Sequence, residues 1–286
     1  MRTEDDTWDI NTSVGVTAVG VAAGRAAESA EPDGLINDPF AARFVRAAAP
    51  LSGASDAVEG YRLFGEQSKT YLGVRTRYFD EFFADAAKSG IEQAVILASG
   101  LDARPYRTLM PSRSFEIDQP AVLEFKAQVL ADADAQARTR HSIVGIDLRD
   151  DWRTALIDAG FAPELRTAWL AEGLLPFLPL AAQESLFETI DALSSAGSVI
   201  SVEGIVQSMR ALETDPQANE AIDKLGVSVP DLIFDDRAVD ASPWFIDHGW
   251  AVEQHPATEY VHRYGRSLPD GSPFVAAVFV TGTKKA

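Results

Sequence analysis

The sequence predicts an α/β fold with a mostly parallel sheet that is covered by helices on both faces. Beyond residue 90, short apolar runs alternate with helix-like segments, as in AVILA (94–98), PAVLEFKAQVLADADAQA (120–137) and SIVGID (142–147). Such alternation is typical of parallel strands that are joined by crossover helices. The chain has 286 residues, 46% of them hydrophobic, which is enough for one large core.

The segment before residue 89 is predicted to be helical. Small residues fill TAVGVAAGRAAES, residues 17–29, and are compatible with a first helix. Asp38 followed by Pro39 is a helix-start signal, which predicts a second helix. From about 60 to 88 apolar side chains recur at helical spacing; the predicted inner face comprises Tyr71, Val74, Tyr78, Phe82 and Phe83.

Further apolar runs extend the predicted sheet: SFEID (114–118), TAWLAE (167–172) and SVISVE (198–203). At the end of the chain, WAVEQHP and FVAAVFVTG follow each other with no helix-length gap, which predicts two neighbouring antiparallel strands. The domain prediction is an N-terminal helical cap, residues 1–88, and a sheet domain, residues 89–286, in one compact unit.

Composition narrows the classes of partner and site. Lys and Arg total 25 against 43 Asp and Glu, a formal charge of -18, so we expect neither nucleic acid nor an anionic membrane as a partner. No apolar run approaches the roughly 20 residues that span a bilayer. The chain has no cysteine, which excludes disulfides and cysteine-bound metal. With a polar N-terminus unlike a secretory signal, this favours a cytoplasmic protein.

The ends of the first two strands carry residues typical of a nucleotide site. The first strand ends in Ala98, Ser99 and Gly100, and small residues there let a ligand approach the backbone closely. Asp118 ends the second strand, where an acid accepts hydrogen bonds from the ribose of an adenosine-containing cofactor. Glu116 faces the same side and is an alternative. An ordinary loop, with Asp118 as a helix cap, is the structural alternative.

Two more acids extend this series. Asp147 and Leu148 end the third strand, and Glu172 ends the fourth. An aspartate in that place can accept from an adenine amine, while the leucine offers the ring an apolar contact. Because the carboxyl ends of parallel strands share one edge of a sheet, we expect these acids to form one rim.

Four ordered motifs carry a family resemblance. ASGLDARPYR, FEIDQP, IDLRDDW and AWLAEGLLPFLP together resemble the leucine carboxyl methyltransferase-like family, above all its actinobacterial methyltransferases and polyketide carboxyl O-methyltransferases. The resemblance runs from NDPFAARF to the final strand. It implies a Rossmann-like class I methyltransferase fold with seven strands, the last antiparallel, an N-terminal helical cap, and S-adenosyl-L-methionine as cofactor.

The resemblance also implies roles for individual residues. Gly100 and its neighbours would face the methionine part of the cofactor, and Asp118 would hold the ribose. Asp147 and Leu148 would bind adenine. Glu172 would contact the methionine end, and Arg75 would pair with the methionine carboxylate, with Arg77 as the competing choice.

Ala98 departs from the family pattern, which has glycine at the start of this loop. A methyl group at this position is tolerated if the backbone φ angle of Ala98 is negative. A positive φ would put the affinity for the cofactor in doubt.

The resemblance implies an O-methyltransferase that acts on a small acidic molecule. A carboxylate is ionised at neutral pH and needs no general base, whereas a phenol needs one, for which histidine is the usual candidate. His262 is the candidate catalytic residue; Arg263, Arg266 and Tyr71 are candidate substrate-binding residues. Tyr71 and the neighbouring aromatic residues Tyr61, Phe64 and Tyr78 would otherwise belong to the core. No histidine has the spacing of a metal site.

Other functions remain open at this point. The enzyme could methylate the C-terminal carboxylate of a protein, or the chain could bind the cofactor without turnover. A nicotinamide-dependent oxidoreductase is disfavoured, because it would carry G-x-G-x-x-G where this chain has A-S-G-L-D-A. We expect a small-molecule acceptor and a monomer or homodimer.

Overall fold

A computed structural model describes residues 14–51, 56–225, 228, 233 and 239–286. Its strands are β1 (Gln93–Leu97), β2 (Arg113–Asp118), β3 (Arg140–Gly145), β4 (Thr167–Ala171), β5 (Val199–Gly204), β6 (Trp250–Pro256) and β7 (Val278–Lys284). Its helices are α1 (Val14–Ala30), α2 (Ala41–Ala48), α3 (Ala57–Lys88), α4 (Arg104–Arg107), α5 (Pro120–Ala131), α6 (Trp152–Asp158), α7 (Leu180–Ala192), α8 (Val206–Thr214), α9 (Pro216–Leu225), α10 (Ala241–Asp247) and α11 (Ala257–Arg263).

The described strands form a seven-stranded sheet in the order β3-β2-β1-β4-β5-β7-β6. The first five strands pair in parallel, and β7 runs antiparallel between β5 and β6. The predicted α/β class and the antiparallel final pair are therefore confirmed. Strand order reverses between β1 and β4, and in open α/β sheets such a reversal opens a ligand crevice at the carboxyl ends of the strands.

The connection between the last two strands differs from the prediction. Helix α11 lies between β6 and β7, and residues Pro273–Ala276 form a 3-10 turn before β7 begins at Val278. FVAAVFVTG is predicted as one strand because its apolar run continues without interruption through the turn and into β7. The 17 residues between the two motifs were enough for a short helix.

The N-terminal helices begin close to their predicted positions, in the part of segment 1–88 that the structure describes; residues 1–13 lie outside it. Asp38 accepts the backbone N–H groups of Phe40 and Ala41 at 3.0 and 3.1 Å and so holds the turn before α2. The predicted helix start is two residues early, because Phe40 rather than Asp38 is the N-cap and α2 begins at Ala41 rather than Pro39. Of the predicted inner face of α3, four residues are buried and Phe82 is only half-buried.

The second half of α3 forms a layer on the sheet. Tyr78 stacks on Phe279 of β7 with ring centroids 4.3 Å apart, and Phe79 meets the same ring edge-on. On the other face of the sheet, Trp169 packs against Phe161. Helix α3 therefore belongs to the core of the sheet, although it lies before residue 88, where the helical cap is predicted to end.

Close contact between α1 and α3 places α1 over the first strand loop. A Cβ atom at Gly24 would overlap the Leu72 side chain, and one at Gly65 would lie 2.9 Å from the carbonyl oxygen of Ala23. Glycine is therefore required sterically at Gly65, where the contact is with backbone, whereas a side chain at Gly24 would have to displace Leu72. The first turns of α1 then reach Gly100, where an added Cβ would lie 3.4 Å from Ala18 Cβ. Among the described helices, none combines the length and apolarity that a membrane crossing needs.

Candidate functional site

A cavity lies at the carboxyl ends of the parallel strands and is covered by α1, α3, α8 and α9. All eight residues that were predicted to bind the cofactor line it: Arg75, Ala98, Ser99, Gly100, Asp118, Asp147, Leu148 and Glu172. The fold therefore brings together side chains from α3 and from the ends of four strands, across about a hundred residues of sequence.

The loop after β1 is strained at its first residue. Ala98 has a φ of 48°, in the left-handed region, and Gly100 also has a φ of 48°. A non-glycine residue there costs roughly 1–2 kcal/mol. Of the two possibilities for Ala98, the structure shows the unfavourable one. The surrounding hydrogen bonds hold the conformation, since Ser99 N–H donates to Ile117 O at 3.1 Å and Asp102 N–H donates to Ser99 O at 2.8 Å.

Replacing Ala98 with glycine should raise the free energy of unfolding by about 0.5–1 kcal/mol, because relief of the left-handed strain exceeds the entropy that glycine adds to the unfolded chain. Chemical denaturation measures this change. The matched control is Ala84→Gly in the interior of α3, which should lower stability by a similar amount. Equal losses in both variants would contradict the strain at Ala98.

Asp118 lies at the centre of the rim and is held by backbone donors. Its two carboxylate oxygens accept the N–H groups of Gly100 at 2.6 Å and Gln119 at 2.7 Å. Burial raises the pKa of Asp118 to about 6, because these two hydrogen bonds only partly replace the lost water. Each oxygen keeps a lone pair for a further donor, so the carboxylate can accept ligand hydroxyls.

Glu116, the alternative to Asp118, is used elsewhere. It is buried and bonded to Lys126 Nζ at 2.7 Å, with His141 Nε2 at 3.2 Å, and it does not line the cavity. Strand alternation correctly predicts that Glu116 shares the face of Asp118. Glu116 lies two residues earlier in β2, however, where it neutralises the buried Lys126.

Asp147 is half-buried beside Leu148. Burial by itself would raise the pKa of Asp147, but hydrogen bonds from the Arg149 side chain and backbone hold it below its ordinary value. Arg149 Nε lies 2.9 Å from Oδ1, and Gln119 Nε2 donates to Oδ2. The carboxylate is therefore ionised and fixed in position, next to an apolar surface that suits a planar base.

Arg75 joins two acids at the floor of the cavity. Its NH1 donates to Glu203 Oε2 at 3.1 Å, and its Nε lies 2.9 Å from Glu172 Oε1. The contact with Glu172 is an ion pair, and Nε makes no hydrogen bond to the described atoms. Arg77, the competing choice, is exposed and pairs with Glu81 at 2.7 Å.

Glu203 is a member of this cluster that the sequence analysis missed. It is fully buried, and burial raises its pKa against the opposing effect of Arg75. Tyr71 donates its hydroxyl to Glu203 and stacks on Phe274 with centroids 4.3 Å apart, so it lies outside the cavity lining and does not fit the predicted substrate-binding role. The sequence does indicate Glu203, because SVISVE ends in this acid just as the other strand motifs end in theirs.

Three arginines near the cavity were also missed, although two of them stand in the ASGLDARPYR motif. Arg104 pairs with Asp80 and with Glu172, each at 2.7 Å, and also with Asp102. The other two arginines form further pairs: Arg107 with Asp80 at 2.6 Å, and Arg25 with Asp38 at 2.9 Å. Ion pairing of this kind depends on residues far apart in sequence and is not visible in a local pattern.

The candidate residues near the C-terminus lie away from the cavity, which corrects their predicted roles. His262 is exposed on the outer side of α11, and Arg263 lies over the Tyr260 ring at 5.3 Å. Arg266 pairs with Asp33 at 2.7 Å. Tyr260 and Val261 take the inward face of α11, which turns His262 and Arg263 outward.

The histidines and most of the candidate aromatic residues lie outside the cavity lining. All four histidines lie outside the cavity, at positions 141, 248, 255 and 262. Among the described residues no cluster of histidine and acidic side chains has the arrangement of a metal site. Of the aromatic residues considered for an acceptor pocket, Phe64 lines the cavity, while Tyr61 and Tyr78 are buried in the core.

Comparison with known proteins places this chain in a family. The model of the leucine carboxyl methyltransferase family matches residues 18–191. A protein from Rhodococcus jostii, provisionally assigned as an S-adenosyl-L-methionine-dependent methyltransferase, is 45% identical over 280 residues, covering 94% of both chains. A Mycolicibacterium smegmatis protein with the same provisional assignment is 46% identical over 290 residues, covering 93% of this chain and 90% of its own.

A solved structure supports the fold. A provisionally assigned methyltransferase from Thermobifida fusca aligns with a TM-score of 0.51 at 15% identity, over 93% of this chain and 94% of that one. The sequence matches cover the strand-end acids, the small-residue loop and α3. This protein belongs to the leucine carboxyl methyltransferase family.

Proposed function

We propose that the protein is an S-adenosyl-L-methionine-dependent O-methyltransferase whose acceptor is a small acidic molecule, with a carboxylate favoured over a phenol. The observation that carries the proposal is the convergence of the eight predicted cofactor residues on one cavity at the reversal of strand order. Family membership and the close relatives support the cofactor and the methyl transfer.

The residues present fit the cofactor. Asp118 offers lone pairs for two ribose hydroxyls, and Asp147 and Leu148 offer an acceptor and an apolar face for adenine. Arg75 is a buried cation on the cavity lining; its Nε is ion-paired with Glu172 but makes no hydrogen bond to a described atom, so it can donate to a ligand carboxylate. Glu172 lies beside it for an ammonium group. When bound, the cofactor supplies an electrophilic methyl group on a sulfonium.

The protein contributes positioning and exclusion of water. The strand-end residues are fixed by hydrogen bonds and ion pairs, so a bound ligand would meet a preorganised rim. Holding the reacting atoms in line is worth roughly 7–11 kcal/mol in favourable cases. Because none of the four histidines lines the cavity, an acceptor that is already ionised suits this site better than one that needs a base.

A labelling experiment tests the proposal. The protein is incubated with cofactor that carries a labelled methyl group and with a whole-cell extract that contains both metabolites and proteins, and products are identified by mass spectrometry. We expect label in base-labile methyl esters. Label in protein chains of the extract would point instead to carboxyl methylation of a protein. Tight cofactor binding with no labelled product would indicate a binding protein.

Cofactor affinity should fall as the pH drops below about 6. Burial raises the pKa of Asp118 to about 6, so this carboxylate becomes protonated in the unbound folded protein below that pH and loses acceptor capacity. Titration calorimetry from about pH 5 to 7.5 should show up to about tenfold weaker binding per unit below 6. Asp118→Asn should remove this dependence, and its persistence in that variant would identify another group.

The raised pKa of Asp118 also makes the stability of the folded protein depend on pH. The folded-state pKa of Asp118 lies above its unfolded value of about 3.9. Its contribution to stability is therefore fully present below about pH 4 and is lost as the pH rises through about 6.

A further inference from the structure

We propose that one wall of the cavity selects apolar monocarboxylic acids as methyl acceptors, a proposal that rests on the function proposed above. The wall, called here the apolar wall, consists of Phe64, Leu72, Met209, Leu212, Ile222 and Phe274. Five of these are buried members of one hydrophobic cluster, and Phe64 packs against it.

The apolar wall differs from the strand-end rim in its chemistry. Helices α8 and α9, which follow β5, contribute only apolar side chains to the described cavity lining. Arg75 borders the wall, because it lies one helical turn after Leu72 on α3 and lines the same cavity. The cavity therefore offers hydrocarbon along the apolar wall, and the ion-paired cluster of Arg75 lies at one end of that wall.

Among the described residues that line the cavity, every arginine is already ion-paired, so none is spare for a second carboxylate. Four arginines form ion pairs with five acids here: Arg25, Arg75, Arg104 and Arg107 with Asp38, Asp80, Asp102, Glu172 and Glu203. Asp118 adds a further acid at the rim. Burying an additional unpaired anion is costly, so this site disfavours dianionic acceptors.

A single carboxylate is compatible with the site because the reaction removes its charge. The acceptor oxygen donates an electron pair to the methyl carbon as the carbon–sulfur bond breaks and its pair returns to sulfur. No proton moves, and a sulfonium and a carboxylate become a neutral thioether and a neutral ester. Cancellation of opposite charges is favoured where water is excluded.

Binding of a matched pair of acids tests the apolar wall without relying on turnover. Protein saturated with S-adenosylhomocysteine is titrated calorimetrically with octanoate and with octanedioate, which differ by one terminal carboxylate. We expect octanoate to bind at least tenfold tighter, and about tenfold tighter than hexanoate, because two methylenes are added against apolar surface. Equal or tighter binding of octanedioate would overturn the proposal.

The two proposals fail in different ways. Binding of S-adenosylhomocysteine with no binding of any of these acids would overturn the acceptor class and leave the methyltransferase proposal standing. No binding of S-adenosylhomocysteine would overturn the proposed function itself.

A variant pair locates the acceptor. Met209→Ala should weaken octanoate binding about threefold to thirtyfold and leave S-adenosylhomocysteine affinity unchanged, since Met209 is not among the predicted cofactor residues. Val275→Ala is the control: it lies next to Phe274 in the 3-10 turn but is 54% exposed, and both affinities should be unchanged. If Met209→Ala does not fold, half-buried Phe64→Leu takes its place. Unchanged octanoate affinity in the folded wall variant would overturn the assignment.

Discussion

Replacing Arg75 with methionine should lower the free energy of unfolding by about 3–5 kcal/mol and abolish measurable cofactor binding. The substitution leaves Glu172 and Glu203 without their shared cation, and an unpaired buried charge is strongly destabilising. Denaturant unfolding measures the stability, and titration calorimetry measures binding of S-adenosyl-L-methionine.

Arg77→Met is the matched control on the same helix. Arg77 is exposed and pairs with Glu81 at the surface, so its loss should cost less than about 1 kcal/mol and leave binding intact. Equal stability of the Arg75 and Arg77 variants would refute the cluster as a structural element.

A double variant tests whether the stability lost in Arg75→Met comes from the unpaired carboxylate of Glu203. Burial already raises the pKa of Glu203, and removing Arg75 takes away the main opposing effect. Arg75→Met combined with Glu203→Gln should therefore recover part of the lost stability, because a neutral amide is left beside Tyr71 in place of an unpaired carboxylate. Cofactor binding should stay lost, since the guanidinium is still missing.

Asp118→Ala should weaken cofactor binding by about 1–3 kcal/mol, or roughly fivefold to 150-fold, because the ribose hydroxyls and the N–H of Gly100 lose their acceptor in a buried site. Titration calorimetry measures the change. Glu124→Ala on the exposed face of α5 is the control and should bind as the unchanged protein does.

Asp147→Ala should also weaken cofactor binding while the protein stays folded. Asp147 is half-buried and is held by Arg149 and Gln119, which can be solvated after its removal. Circular dichroism and thermal unfolding monitor the fold. If Asp118→Ala binds normally, the ribose is not held at β2; if Asp147→Ala unfolds, that aspartate has a structural role.

Much of the strand-end rim was predictable, because its residues follow patterns that are local in the sequence. Each strand end combines an apolar run with a small or acidic residue, and parallel strands must bring such ends to one edge. Glu116 shows the limit of this reasoning: strand alternation placed it correctly on the face of Asp118, but depth in the sheet decided that it binds Lys126. The acceptor candidates failed for a related reason, since EYVHRYGR does not reveal which side of a seven-residue helix packs inward.

By itself the sequence determined the α/β class, the strand positions, the four strand-end motifs and the family resemblance, because periodicity and motif spacing are properties of neighbouring residues. Only the tertiary structure decided that Arg75 bridges Glu172 and Glu203, that Ala98 takes a left-handed conformation, and that α8 and α9 supply the apolar wall. Ion pairs, backbone strain and the lining of a cavity depend on which distant segments of the chain come into contact. The packing of the whole chain decides those contacts.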